Sequence, residues 1–207
     1  MSGVSCDVVQ KEPTRRGRPR QFDPAEVLTK ARDTFWAAGY QATSLDRLSE
    51  ATGLKRPSLY GAFGDKQALY LALLQTYRET SLATVRRLLN EATTLREGLS
   101  AIYAAALDLY LPNAQGCFVL NTAPSEAETD EAVRGELNQI TQDLDAAFSA
   151  RIARARAEGE IDGAIDPDQR GRLAMAMLHS LSVRARAGEP RAALEALAQS
   201  GVDLLLR

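Results

Sequence analysis

Histidine is almost missing from this chain of 207 residues: His179 is the only one. That excludes a metal site built on paired histidines and a histidine-rich active site. Cysteine is nearly as scarce. Cys6 and Cys117 stand far apart, so neither zinc-finger spacing nor a disulfide framework is available. No glycine-rich phosphate loop and no nucleophile elbow occurs. The close carboxylate pairs, Glu126 with Glu128 and Asp143 with Asp145, are two residues apart and diverge on a helix. No catalytic residue, cofactor or metal is therefore expected. No apolar run reaches the roughly 18 residues that suggest a membrane span. The first residues also lack the apolar core of a secretory signal. A cytoplasmic protein with no membrane partner is the expectation. Aromatic residues make up only 6% and no alternating β-branched run appears, while Ala, Leu and Arg abound, so the expected fold is all-α.

What charge there is lies unevenly. The net charge is −2, yet residues 1–66 hold 11 Lys/Arg against 8 Asp/Glu, and the acidic excess falls in the remainder. The front is the basic end, as attraction to DNA requires. Residues 1–21 carry Lys11, Arg15, Arg16, Arg18 and Arg20 among few apolar residues. They read either as a solubilising tail or, beside a DNA-reading element, as a basic arm reaching phosphates or the minor groove.

That element is the stretch from Thr43 to Lys66. Thr43 is the expected N-cap, with Asp46 closing a capping box, and Leu45, Leu48, Ser49 and Ala51 form the inward face. Gly53 supplies the turn, and Arg56-Pro57-Ser58 opens a second helix with proline early, where its missing N–H does no harm. Leu59 and Phe63 point inward, leaving Ser58, Gly61 and Ala62 outside. This is a helix-turn-helix layout, in which the second helix offers its N-terminal residues to base edges. Ahead of it, Asp23, Pro24 and Glu26 predict a capped helix whose buried stripe is Val27, Leu28, Ala31, Phe35 and Trp36.

Ala31, Phe35, Gly39-Tyr40, Thr43-Ser44, Gly53-Leu54 and Ser58-Leu59-Tyr60-x-x-Phe63-x-x-Lys66-x-x-Leu69 form a pattern more specific than a bare helix-turn-helix. By these residues the run from Phe22 to Leu71 resembles the N-terminal domain of the TetR family of transcriptional regulators. Members often carry a Gly-Arg-Pro-Arg lead-in like the one at 17–20. They also often hold His or Tyr at the position of Ala62 and a larger residue at Gly61, so two outward contacts differ here. The resemblance implies a three-helix DNA-binding head over 22–66 and a helical ligand-binding and dimerisation body over 67–207. It further implies a repressor, a palindromic operator bound as a homodimer, and release by a small-molecule inducer.

Roles at the DNA divide by chemistry. Lys55 and Arg56 are the base-edge candidates, since both pair with guanine. Tyr60, Lys66, Thr43 and Ser44 are phosphate candidates. Arg47, Pro57, Ser58 and Gly61 complete the expected surface, with Arg18 and Arg20 from the arm.

Beyond Lys66 a helix to about Glu91 shows Leu69, Leu73, Thr76, Thr80 and Ala83 at helical intervals. Leu95 to Leu111 gives another stripe, broken at Pro112-Asn113. A long helix is expected from Ser125 to Glu158, and two more from Pro167 to Ala187 and from Pro190 to Leu206. The last two bear Leu173, Met177, Leu181, Leu194, Leu197, Gly201 and Leu204, which either cover the chain's own core or pair with a second copy. Tyr77, Tyr103, Leu107, Tyr110, Phe118, Asn121, Phe148 and Met175 are candidates for lining an inducer cavity, suiting an uncharged, lipophilic or partly aromatic ligand. His179 is either a packed, hydrogen-bonded residue or a polar group in that cavity. Cys117 is either a small buried hydrophobe or a thiol sensor, in a Gly-Cys-x-x-x-Asn element similar to that of one TetR subgroup. Control by a partner protein, or a small-molecule carrier or enzyme with a vestigial head, are the alternative readings.

Overall fold

The computed structural model describes residues 22–207; the expected basic arm, with Cys6, Arg18 and Arg20, lies outside them. Among the described residues there are nine α-helices and no strand. Helix α1 (Pro24–Ala38) starts where Asp23 accepts a hydrogen bond from the Ala25 N–H at 2.9 Å. The expected capping box is not closed: Glu26 instead pairs with Lys30 at 2.7 Å, one turn along.

Helix α2 (Leu45–Thr52) is capped by Ser44, which accepts from the Arg47 N–H at 3.2 Å. Thr43, the expected cap, is fully buried and donates its hydroxyl to the Gly39 carbonyl at 2.7 Å. Both residues can cap; burial of Thr43 beneath the end of α1 moves the start by one. Ala51, expected inside, is exposed, and Thr52 is buried in its place. Gly53 ends α2 at φ +72°, in the left-handed region that a Cβ disfavours. Helix α3 (Arg56–Phe63) follows after two residues, with Leu59 buried beneath it.

Helix α4 (Lys66–Glu91) joins the three-helix head to the body, with Asp65 as its cap. Its buried residues are Leu69, Tyr70, Leu73, Leu74, Val85 and Leu89; Thr76, Thr80 and Ala83, placed inside by the spacing, are exposed. The body adds α5 (Leu95–Tyr110), α6 (Phe118–Thr122), α7 (Glu131–Ala157), α8 (Pro167–Arg186) and α9 (Arg191–Leu205). The helix expected from Ser125 is shorter. Residues 126–128 make a 3₁₀ turn, and Asp130 caps α7 by accepting from the N–H groups of Ala132 and Val133. Helix α7 packs most extensively on α8, and α8 in turn on α5 and α9. Among the described residues no helix is long and apolar enough to cross a membrane.

Head and body share one core. Phe35 and Tyr40 pack tilted against Tyr70 of α4 with ring centres 5.3 and 4.8 Å away. Trp36 and Tyr77 each meet Phe118 of α6 at 5.6 Å. Polar ties reinforce the joint. The Trp36 ring N–H donates to the Gln115 carbonyl at 3.1 Å, and Gln41 donates to the buried carboxylate of Glu126 at 2.7 Å. Gly116, at φ +63°, lets the chain pass close to the Ser182 carbonyl of α8; a side chain there would strike it.

Three of the residues expected at a two-copy interface belong to this core. Leu181 and Leu194 are fully buried, and Gly201 is covered by Met177. Leu173 and Leu204 are 55% and 61% exposed, with Val183 also exposed on α8. Met177 and Leu197 are half-buried.

Candidate nucleic-acid interface and ligand cavity

The outer face of α3 and the residue before it present Lys55, Arg56, Pro57, Ser58, Tyr60 and Gly61 to solvent. Buried Leu59 and half-buried Phe63 hold the opposite face to the head, so the exposed set is displayed on a rigid rod. Ser44 and Arg47 flank it from the start of α2, both exposed. Arg56 does not stand alone. Its guanidinium forks onto the Asp46 carboxylate across the turn, its Nε donating at 2.9 Å. This pairing, which sequence spacing did not reveal, holds the two helices together and keeps the Arg56 charge firmly in place.

Two of the expected phosphate ligands are placed elsewhere. Thr43 is buried and its hydroxyl is spent on the Gly39 carbonyl, so it cannot reach a phosphate. Lys66 is half-buried with its ammonium 4.1 Å from the centre of the Tyr40 ring. Burial lowers its pKa, opposed by the nearby Glu126 carboxylate. Arg18 and Arg20 lie outside the described residues.

Behind the head the body holds a cavity of about 620 Å³. Helix α1 of the head supplies one wall, through Ala25, Leu28, Thr29, Arg32 and Trp36. Helix α4 supplies Leu73, Thr76, Tyr77, Thr80, Ser81 and Thr84, and α5 supplies Ile102, Ala106, Leu109 and Tyr110. Leu137, Ile140, Thr141 and Leu144 of α7, and Met175, Leu178 and His179 of α8, complete it. The hydroxyls of Thr29, Thr76, Thr80, Thr84 and Thr141 each donate to the carbonyl one turn back in their own helix. They therefore turn methyl groups and acceptor lone pairs, not free protons, to their surroundings.

At one end Cys117 meets two tyrosines. The Tyr77 hydroxyl lies 3.4 Å from its sulfur, and the Tyr110 hydroxyl also touches it. Burial pushes both phenols well above their ordinary range, so they stay protonated. His179 is half-buried on the cavity wall. Burial lowers its pKa despite Asp145 nearby, which favours the neutral imidazole. Among the described residues no carboxylate lines the cavity, and the one Lys or Arg on its wall, Arg32, is tied to Asp33 at 2.8 Å and lies over the Trp36 ring.

Of the residues expected at a cavity, Tyr77, Tyr110, Cys117, Met175 and His179 are on its wall. Five are not. Tyr103, Leu107, Phe118 and Phe148 are core residues at most 1% exposed. Asn121 donates its side-chain amide to the Gln115 carbonyl. Large aromatics fill space between helices and so close voids; the void remains where Thr, Leu and Ala face one another. The contribution of α1 was not foreseen. Its only signal is a fifth apolar residue, Leu28, beside the four that become buried, Val27, Ala31, Phe35 and Trp36.

An exposed helix-turn-helix joined through one core to a helical body with its own cavity is the architecture of a helix-turn-helix DNA-binding protein. Residues 27–73 match the family described as bacterial regulatory proteins, tetR family, and residues 95–200 match the tetracyclin repressor-like C-terminal domain. The chain is 30% identical to the HTH-type transcriptional repressor ComR of Escherichia coli (strain K12), over 98% of this chain and 97% of ComR. It is 30% identical to the HTH-type transcriptional regulator YezE of Bacillus subtilis (strain 168), over 71% and 77% of the two chains. Among solved structures, a cysteine-substituted TetR family regulator CifR, complexed with double-stranded operator DNA, superposes with a TM-score of 0.82 at 31% identity, covering 90% of this chain and 98% of CifR. The chain belongs to the TetR family and is a transcriptional regulator of that family.

Proposed function

We propose that the protein is a repressor that binds a near-palindromic DNA operator as a homodimer and is released by an uncharged, lipophilic small molecule. The observation that carries this reading is the shared wall: α1 is at once a scaffold of the reading head and a side of the 620 Å³ cavity. A ligand in that cavity touches the head directly. It favours whichever head position gives it the better fit, and that differential affinity is the coupling. The lining sets the ligand's character. Apolar side chains dominate, five threonine hydroxyls present acceptor lone pairs, and no carboxylate among the described residues lines it to hold a cation. The void itself supports a small ligand over a partner protein as the signal. The operator-bound CifR and the repressor ComR support the DNA and repressor parts.

The test is selection of bound duplexes from a random pool with purified protein, followed by release assays on the selected site with neutral and cationic lipophiles. A preferred palindrome released by neutral compounds is expected; a protein without sequence preference at moderate salt would sink the reading. On that operator, Arg56→Ala should weaken binding by about 1–3 kcal/mol and relax preference at one base pair per half-site. Lys66→Ala should weaken all duplexes alike and only mildly, because its ammonium is turned to Tyr40. Identical behaviour of the two variants would refute this division.

A second reading has one observation in its favour: the Cys117 thiol lies on the cavity wall, within reach of any electrophile that enters. Cys117→Ser should then keep operator binding but abolish release by a thiol-reactive compound. Release that persists in the variant leaves the cavity ligand as the signal.

A further inference from the structure

A second cleft lies on the far side of the body, away from the head. Its centre is Arg151 of α7, whose side chain is only 3% exposed. Nη2 donates to the Glu160 carboxylate at 2.8 Å, but Nε and Nη1 have no acceptor among the described residues. The other Glu160 oxygen accepts from the Leu95 N–H at the start of α5, and neither oxygen pairs with Nε or Nη1. A buried guanidinium with two idle donors is a costly arrangement unless something supplies acceptors.

Arg151 lines a cleft of about 300 Å³ between α4 and α7. Arg86 and Asn90 of α4 and Arg154 of α7 share that lining, and no acidic residue among the described residues does. Arg86 has no ion pair among the described residues; Arg154 is held by Glu158 at 3.0 Å. The rest of the wall is apolar: Leu89 and three alanines of α7, at 146, 147 and 150. Three guanidiniums and an amide in one lining suit an oxyanion, because guanidinium forks match carboxylate and phosphate and the amide adds a further N–H donor. The volume exceeds what a bare oxyanion fills and stands at the lower bound of small-molecule pockets, about 300 Å³. The alanine floor leaves room for a compact apolar body.

We propose that this cleft binds a small organic anion, a carboxylate or phosphate ester carried on a compact apolar group, at a site separate from the large cavity. Its head exchanges for the solvent around Arg86, Asn90 and Arg154 and draws the Arg151 guanidinium, whose idle Nε and Nη1 are sealed from solvent, to turn towards it; its body lies on Leu89 and the alanines.

Titration calorimetry on the full chain at fixed ionic strength tests this, with phenyl phosphate, benzoate, inorganic phosphate and benzamide as probes. Saturable binding of one phenyl phosphate or benzoate per chain is expected, weaker for inorganic phosphate and absent for benzamide. The stronger of the two organic probes tells phosphate ester from carboxylate. Arg86 and Arg154 are exposed, so Arg86→Gln with Arg154→Gln leaves the fold intact, checked by an unchanged Tm. That double variant should bind about a hundredfold more weakly, about tenfold for each charged hydrogen bond removed. No saturable heat, equal binding by the double variant, or benzamide binding as well as benzoate would each overturn the proposal.

Discussion

Trp36→Ala is expected to lower the free energy of unfolding by about 3–5 kcal/mol, the range for deleting a buried large aromatic. The residue is 3% exposed and sits where head and body meet. Its ring packs on Phe118 at 5.6 Å and edge-on to Tyr77 at 6.0 Å, and its N–H donates to the Gln115 carbonyl at 3.1 Å. The variant opens the cavity wall as well, and a void left beside an existing void cannot collapse. Chemical denaturation reads the change as a lower midpoint with unchanged slope. Trp36→Phe separates packing from the hydrogen bond. It keeps most of the contact, and the Gln115 carbonyl still receives the Asn121 amide and the Arg186 guanidinium, the latter at 3.4 Å. Its stability loss should stay near 1 kcal/mol. A Trp36→Ala protein as stable as the parent would mean that α1 is held to the body by something other than this joint, and the shared-wall coupling would fail with it.

That joint shows where sequence reading works and where it stops. The start of α1 at Asp23-Pro24 is legible, because a cap and a proline act on their own few residues. The cap of α2 was misplaced by one because Thr43 and Ser44 are equally able to cap, and only the tertiary burial of Thr43 chooses between them. The split before α7 was hidden similarly: Asp130 competes as a cap inside a pattern that runs on through it. At the sites, exposed residues of α3 followed from helical spacing, but the Arg56–Asp46 pair did not, since it depends on the angle between two helices. The cavity was half legible. Of the large side chains expected on its wall, Tyr103, Leu107, Phe118 and Phe148 are packing instead. A void is what the helices fail to fill, and no single helix's pattern contains that information.

Leu173→Glu combined with Leu204→Glu is expected to turn the protein into a monomer and to lower operator affinity by about 10²–10⁴-fold. In the single chain both side chains are more than half exposed, so the carboxylates stay hydrated and the fold is untouched. In a dimer built on α8 and α9 the same carboxylates would be buried without partners, at a cost well beyond that of losing two leucine contacts. The DNA penalty follows from the pairing, since binding of the second head is intramolecular only while the two chains are joined. Sedimentation and fluorescence anisotropy on one operator read the two effects separately. Leu181→Ala is the contrasting case. That residue is fully buried in its own chain, so the variant should lose about 2–5 kcal/mol of stability before any change in pairing appears. A double Glu variant that stayed dimeric and bound DNA like the parent would place the interface elsewhere. The exposed leucines of α8 and α9 would then be ordinary surface.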